Sequence, residues 1–451
     1  MADINDAGLL SAPEAALLID QYELAMAAGY LRHDMNEPAT FELFARRLPP
    51  NRDWLLACGL GPTLRLLAEL RFGERQLSDL RELGFGAQLL EYLAEYRFSG
   101  EIEAMPEGTL AFANEPLLRV TAPRVDAQLL ETILLNQIDF QTMVATKAAR
   151  VVLAAGGGEP GAGETLFDFS ARRTHGSDAA MKVARAAAVA GFGGTSNIAA
   201  ALRYGLQAVG TMAHSYVLSF ESEAEAFRAF MEDNPDNALI LVDTYETAEG
   251  VRRAIDASRA SGVPLAGVRI DSGDLLALSQ QARRLLDEAG MEEARIVVSG
   301  DLEEGRISEL VAAGAPIDLW GVGTELGTSR DSPAINGVYK LVADRTGGVW
   351  RGVAKSSEGK ATVPGAKQVF RTLADGEFAG DVIGGTDEDL EGEPLLVPAM
   401  RGGEIVLTET IEQMRERTNR SLGSLPPALR RDGAEPYPVA YSARLEAAAR
   451  G

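Results

Sequence analysis

The sequence predicts an α/β protein: an irregular (β/α) barrel of the TIM type, with a discontinuous α+β domain formed by the N-terminal and C-terminal segments. Three observations point there. Between Thr165 and Gly323, seven short apolar segments alternate with helix-length amphipathic ones, the pattern of parallel strands joined by crossover helices. The segments on either side carry short strands, helices and turns without that repeat. No low-complexity linker separates the two patterns. Residues 1–126, completed by 340–451, are therefore expected to form one domain, and residues 127–339 the barrel that carries the active site.

Composition bounds the function. The 451 residues are 46% hydrophobic and 24% charged, ample for a packed core and more than one domain. No apolar run reaches the roughly 18 residues of a membrane span. The first residues, Met-Ala-Asp-Ile-Asn-Asp, are acidic where a secretory signal is basic, so a cytoplasmic protein without a membrane partner is expected. A net charge of −23 argues against a nucleic-acid partner, because a polyanion rewards a basic surface. The single cysteine, Cys58, excludes an internal disulfide and a Cys-cluster metal site. Against so acidic a background, clustered arginines stand out: a site for an anion must supply its own positive charge.

Taken in order, Leu17–Tyr30 has helical spacing and strong helix formers, with Tyr22 in its first turns as a core or interface aromatic. Phe41–Arg47 alternates as a half-buried strand does. Arg52–Leu60, Thr63–Leu70, Leu77–Leu83 and Ala87–Tyr96 read as short helices and connectors, and Glu103–Val120, with Pro106, Gly108 and Pro116, as short strands and turns. Ala127–Val152 reads as one long amphipathic helix leading into the barrel, followed by a glycine-rich loop at Gly156–Gly163. The barrel strands fall near Thr165–Phe169, Thr195–Asn197, Ala208–Met212, Ala238–Thr244, Ala266–Asp271, Arg295–Ser299 and Leu319–Gly323. Beyond them come strand-like pieces rich in Lys and Gly, an acidic stretch Asp375–Glu393 read as a solvated loop, a last strand at Ile405–Leu407, a helix at Thr408–Asn419, and a frayed helix from Ser442.

The chemistry gathers at strand ends. Leu166-Phe-Asp-Phe-Ser-Ala-Arg-Arg-Thr-His-Gly176 finishes an apolar strand in an aromatic, two guanidiniums and an imidazole, and the planar fork of Arg suits carboxylate or phosphate. Ser196, His214, Asp243, Asp271, Gly300-Asp301 and Gly321-Val-Gly323 also lie at or just past strand ends, on the face where barrel active sites are built. One such residue is explained by a helix cap or a tight turn; the set is not. Arg172, Arg173 and Arg269 with the open backbone of Gly300, Gly321 and Gly323 make a phosphate cradle, although a tight turn alone accounts for Gly-Val-Gly. Asp271 suits ribose hydroxyls or hydrated Mg²⁺, whereas Asp274 fits a helix N-cap better. Of the histidines, His33 reads as surface, His175 as a phosphate donor or helix cap, and His214 as a group for proton transfer or phosphoryl acceptance, with a satisfied core histidine as its alternative. No Lys sits at a predicted strand end, which discounts a Schiff-base aldolase.

FDFSARRTHG, GFGGTSN, VGTMAHS, LVDTYET, GVRIDSGD, VVSGDLEE, GVGTELGTSRDSPAINGVYKLV and KATVPGAKQVFR, in this order, resemble the nicotinate phosphoribosyltransferase family, and the likeness runs from LLIDQYELAMAAGY to about Arg371. The resemblance implies a homodimer with shared active sites, making nicotinate mononucleotide and pyrophosphate from nicotinate and phosphoribosyl pyrophosphate. It also implies Mg²⁺ as cofactor and ATP as co-substrate, hydrolysed through a transiently phosphorylated histidine that His214 matches. Phe169 would stack on the pyridine ring, with Tyr22 of the partner subunit on its other face. Arg172 would meet the nicotinate and phosphates, Arg269 and Asp271 the ribosyl and pyrophosphate groups, and Gly300, Asp301, Gly321 and Gly323 the 5′-phosphate and ribose. Thr195 and Ser215 join the substrate-binding set. Ser196 stands where similar nicotinamide-using enzymes carry Asp, which favours the acid over the amide. The alternatives are a nicotinamide phosphoribosyltransferase and a non-catalytic phosphosugar-binding protein on the same scaffold. The joint presence of His214, Arg269 and Asp271 speaks against the second.

Overall fold

The structure is a computed structural model that describes residues 15–355, 362–430 and 436–450. Lys360 and Ala361, which open the KATVPGAKQVFR string, lie outside the described residues. The chain divides into two compact units, one running to Lys147 and resuming at Asp331, the other spanning Ala148–Arg330. The first division falls within the helix Glu131–Ala155, 21 residues past the boundary expected from sequence at 126/127. The long helix expected at Ala127–Val152 is two: Arg124–Gln128, then Glu131–Ala155.

The N-terminal segment contributes the helix Gln21–Arg32 and strands β1 (Pro38–Ala45), β2 (Leu55–Leu56), β3 (Glu101–Ala104), β4 (Leu110–Ala111) and β5 (Pro116–Pro123). The barrel unit contributes β6 (Leu166–Asp168), β7 (Gly194–Thr195), β8 (Gln207–Ala208), β9 (Leu239–Leu241), β10 (Gly267–Ile270), β11 (Arg295–Ser299) and β12 (Leu319–Val322). The C-terminal segment adds β13 (Gly337–Thr346), β14 (Val349–Gly352), β15 (Lys367–Ala374), β16 (Glu377–Gly385), β17 (Glu393–Pro394), β18 (Val397–Arg401), β19 (Glu404–Ile405) and β20 (Val439–Tyr441).

The two ends of the chain fold together. One seven-stranded sheet has the order β14-β13-β1-β5-β3-β18-β19, so N-terminal strands lie between C-terminal ones, and one apolar core holds Leu43, Val120, Tyr339, Val369, Ile383 and Leu445. β1 is antiparallel to β5 and β13 and is buried at every position after Pro38, not half-buried as its alternation suggests. The polar member of the alternation is satisfied inside: Glu42 accepts the backbone N–H of Lys367 at 2.7 Å and pairs with its Nζ at 2.8 Å. Residues 52–60 hold the short β2 instead of a helix, because Leu55 and Leu56 pair with β4.

Two C-terminal expectations are corrected. The acidic stretch from Asp375 is no loop: β16 pairs antiparallel with β15 and parallel with β20. Asp375 and Gly376, at φ 52° and 86°, form the tight Asp-Gly turn that joins β15 to β16, and positive φ at both turn residues matches the twist of a hairpin. The terminal helix Ala443–Arg450 is docked and not frayed, since Leu445 is buried in the shared core.

Asp139, on the helix Glu131–Ala155, accepts the N–H of Gly337 at 3.0 Å, while its Oδ1 has no partner. Burial pushes its carboxyl up to about 7. Between the ordinary carboxylate range and that value the fold holds a proton that the unfolded chain has released, so stability falls as pH rises through this window. Asp139→Asn is expected to gain about 1–2 kcal/mol at pH 8 and nothing at pH 4, in urea melts at the two pH values.

In the barrel unit all seven expected strands form, every pairing is parallel, and the order is β8-β7-β6-β12-β11-β10-β9. Read as a ring, β12 closes onto β6, through Trp320–Leu166, Gly321–Phe167 and Val322–Asp168. The ring opens between β8 and β9. There β8 is only two exposed residues long, and the Asn237 side-chain amide crosses the seam to donate to the Gly210 carbonyl at 2.9 Å.

Candidate active site at the strand ends

Phe169 follows β6 directly, its N–H donating to the carbonyl of Val322 at 2.8 Å. This lays the ring against β12. A Cβ on Gly321 would come within 2.5 Å of the ring carbons, so the first glycine of Gly-Val-Gly is explained by the aromatic it carries. Gly323 precedes the five-residue helix Thr324–Thr328. Arg172, Arg173 and His175 are exposed on the turn after Phe169, and among the described residues neither arginine forms an ion pair. Ser196 and Thr195 end β7 beside this turn: Ser196 donates its N–H to the Asp168 carbonyl at 2.8 Å, and Thr195 is fully buried.

The second group lies at the seam. His214 does not end a strand, since β8 stops at Ala208; it opens the short helix His214–Leu218, with Ser215 exposed beside it. Its Nδ1 is 3.1 Å from Thr244 Oγ1, and its Nε2 is 4.0 Å from Asp243 Oδ1. Asp243 is buried. Its Oδ2 accepts from the Asp271 N–H and the Ser272 hydroxyl, both at 2.8 Å, whereas Oδ1 has no hydrogen-bond partner.

Arg269 fills the mouth between the two groups. Its Nε donates to Ser299 Oγ at 3.0 Å, Nη1 to Thr211 Oγ1 at 3.0 Å and the Met212 carbonyl at 3.2 Å, and Nη2 to Asp271 Oδ1 at 3.2 Å. Its guanidinium also stands 5.7 Å from the centre of the Phe169 ring. The Ser299 hydroxyl in turn donates a hydrogen bond to Asp271 Oδ1. Burial works to raise the Asp271 carboxyl, but the Ser299 hydrogen bond and the Arg269 charge hold it below the usual carboxylate range. It therefore stays ionised.

Gly300 and Asp301 turn away after β11 at φ 90° and 45°. A Cβ on Gly300 would meet the Asp271 carbonyl at 2.1 Å, so this glycine lets two strand-end loops touch. The helix that follows, Glu304–Ala312, is already capped: Glu303 accepts the N–H groups of Gly305 and Arg306 at 2.8 and 2.6 Å. An anion at Gly300 would therefore meet the Gly300–Asp301 backbone and not that helix terminus. Asp274 is the N-cap expected, accepting the Ala277 N–H at 3.2 Å.

Tyr22 belongs to the other unit, on the helix Gln21–Arg32, where about half of it is exposed and where the partial burial of the rest and then the charge of Glu131 push its hydroxyl up. Three residues are absent from the strand-end set that the sequence singles out, Asp168, Thr244 and Ser299, while Asp243 belongs to that set without a role of its own. The available signal was a polar residue closing a run of apolar ones, as in Leu-Phe-Asp and Arg-Ile-Val-Val-Ser. Among the described residues no group of three His, Cys, Asp or Glu is placed to hold a metal ion.

Fixed positive charge, an aromatic platform and an imidazole near a buried carboxyl, in the loops that follow parallel strands, define the class: a barrel enzyme for an anionic, ring-bearing substrate. The comparisons narrow it. Residues 17–139 match the family model of the nicotinate phosphoribosyltransferase (NAPRTase) N-terminal domain, and residues 165–363 that of the NAPRTase family. The chain is 46% identical over 438 residues to nicotinate phosphoribosyltransferase pncB2 of Mycobacterium tuberculosis (strain ATCC 25618 / H37Rv), covering 95% of this chain and 92% of that one. It is 42% identical over 390 residues to nicotinate phosphoribosyltransferase of Bacillus subtilis (strain 168), covering 84% and 78%. The fold is similar to the crystal structure of human nicotinic acid phosphoribosyltransferase, with a TM-score of 0.83 at 27% identity over 96% of this chain and 99% of that one. The chain belongs to the nicotinate phosphoribosyltransferase family.

Proposed function

We propose that this chain makes nicotinate mononucleotide and pyrophosphate from nicotinate and phosphoribosyl pyrophosphate, in NAD salvage. The observation that carries the reading is Arg269, held by four hydrogen bonds under the Phe169 ring and against an ionised Asp271. In the reaction the bond from ribosyl C1 to pyrophosphate breaks, the ribose gains cationic character, and the pyridine nitrogen forms the new bond to C1. Phe169 offers the pyridine a face. Arg172 and Arg269 meet the carboxylate and phosphates, and the Asp271 carboxylate faces the developing cation; a preorganised arrangement of this kind stabilises separating charge without moving. Ser196 places no carboxylate against the anionic nicotinate, which favours it over nicotinamide.

The donor set fits Mg²⁺ in the usual manner of that ion, which takes one or two carboxylates and completes its shell with water and substrate phosphates. Asp271 would hold it, and when bound it would neutralise charge on the leaving pyrophosphate. The other partner is ATP, whose terminal phosphoryl group would pass to a ring nitrogen of His214 with departure of ADP. A phosphorylated ring carries about two negative charges. Beside Asp243 they would repel its open oxygen and bias the seam that Arg269 spans. Exposed Tyr22, Met26, Ile198 and Leu202 support a homodimer, in which sites are shared, and cytoplasmic residence suits the substrates. Among the described residues no helix is long and apolar enough to cross a membrane.

The test follows nicotinate mononucleotide from purified protein with nicotinate, phosphoribosyl pyrophosphate and Mg²⁺, with and without ATP, and with nicotinamide alongside. Ligand binding without pyrophosphate release would favour a silent binding protein. His214→Asn is expected to abolish acid-labile phosphate on the protein and the ATP stimulation together. If both persist in the variant, the phosphohistidine is wrong.

A further inference from the structure

Asp168 ends β6 with its side chain fully buried, and no cation pairs with it among the described residues. Its Oδ1 accepts the N–H of Ser170 at 2.9 Å and the Ser170 hydroxyl at 2.5 Å, and its Oδ2 accepts the Thr195 hydroxyl at 2.7 Å. Thr195 Oγ1 in turn accepts the Asn197 N–H at 3.1 Å. The carboxylate therefore joins two loops. One bears Phe169 and, after Ser170, Arg172; the other bears Ser196 between the two residues of the Thr195–Asn197 link. Ser170 is itself packed tightly, since a Cβ on Gly327 would lie 2.6 Å from Ser170 Cβ.

A buried carboxylate is a costly way to fill a strand end, and an apolar side chain of the same volume would pack there without desolvating a charge. What it supplies is directional. Three donors on two oxygens fix the loop after β6 relative to the loop after β7 in distance and in rotation, and a network of this kind tolerates little slack in a low-dielectric interior.

We infer that Asp168 is a positioning residue for the pyridine subsite, setting the separation between the Phe169 ring and Ser196 and through it the preference for nicotinate over nicotinamide. The inference rests on the function proposed above. Asp168 touches no substrate in this account; it acts through Phe169 and Ser196. A direct electrostatic role predicts the opposite sign, because removing a negative charge near an anionic ligand would tighten its binding.

Asp168→Asn keeps the volume and the Ser170 acceptor but turns an N–H₂ toward Thr195, whose hydroxyl proton then loses its acceptor. Thr195→Val removes the same contact from the other side. Steady-state kinetics should show the KM for nicotinate raised about tenfold in each variant, the loss of about one buried hydrogen bond. In Asp168→Asn the KM for phosphoribosyl pyrophosphate and kcat should stay within about threefold, and in both variants the nicotinate to nicotinamide ratio of kcat/KM should fall about tenfold. The double variant should be no worse than the poorer single one, because both remove one contact. Thermal melts report folding, and Thr195→Val carries the test if Asp168→Asn does not fold. An unchanged nicotinate KM, a nicotinate KM that falls, or a common loss in kcat and both KM values overturns the inference while leaving the proposed function standing. A wild-type protein that forms no nicotinate mononucleotide overturns both.

Discussion

Arg269→Ala is expected to lower kcat/KM for phosphoribosyl pyrophosphate by about a thousandfold or more, since loss of a single preorganised donor to a developing anion costs about 10²–10³ in turnover. The expectation exceeds one donor for a structural reason. Arg269 starts on β10 and bonds to Ser299 at the end of β11, to Thr211 and Met212 beyond β8, and to Asp271 on its own loop, with the Phe169 ring of the β6 loop 5.7 Å away. It is 11% exposed. The side chain thus spans the mouth on the side where the barrel is open, and its removal frees the loop that carries His214. Arg269→Lys keeps the charge but offers one compact ammonium in place of a planar fork, so it should recover only part of the loss. Kinetics on both substrates with a melting curve separates the cases. A Lys variant equal to wild type, or an Ala variant within tenfold of it, would remove Arg269 from the centre of the site.

How far the sequence reaches is visible in the same residues. The seven barrel strands were legible because parallel strands buried on both faces read as apolar runs, each followed by a cap residue and an amphipathic helix. Strand-end position then marked Arg269, Asp271 and His214 as a set. Their atoms were not legible. Asp243 and His214 are 29 residues apart, as Asp271 and Ser299 are 28, and nothing in local periodicity states that those side chains meet. The seam was invisible for a related reason: whether a two-residue edge strand such as β8 finds a partner depends on register, which composition does not encode. In the other unit the error came from polarity. Asp375-Gly376 and its acidic neighbours resemble a loop by charge, yet Asp-Gly between alternating residues is a hairpin signal, and β15 and β16 obey it. Glu42 misled in the opposite way, since a charged residue in a strand suggests a solvent face unless a buried lysine answers it.

The largest loss of stability is expected from Arg371→Met, about 3–5 kcal/mol in urea unfolding, the cost of stranding buried charge. Arg371 is buried on β15. Its Nη2 bonds Asp381 on β16 at 2.6 Å and its Nε the same carboxylate at 3.0 and 3.1 Å, with the Glu115 carboxyl at 3.8 Å. Tyr437 donates to Asp381 at 2.8 Å and stacks on Phe112, with ring centres 3.8 Å apart. The guanidinium lies 4.4 Å from the Phe378 ring centre and 5.3 Å from that of Phe112. One guanidinium faces two carboxyl groups, and burial, followed by the Asp381 charge, drives Glu115 well above its ordinary range. A protonated Glu115 can donate to Asp381 from the oxygen that otherwise has no partner. Glu115 comes from the N-terminal segment, while Arg371, Asp381 and Tyr437 come from the C-terminal one, so this network fastens the two ends of the chain. Methionine fills the space of Arg371 but leaves Asp381 without its countercharge. Glu115→Gln, by contrast, puts an amide donor in place of the protonated carboxyl, so at about pH 4, where folded and unfolded chains both hold the proton, it should change stability by less than about 1 kcal/mol. As pH rises from the ordinary carboxylate range toward the raised Glu115 value, the wild type should lose stability and Glu115→Gln should not, because in that window the native state binds a proton that the unfolded chain has released. Equal losses for Arg371→Met and Glu115→Gln would mean that packing, not charge compensation, holds this corner of the fold.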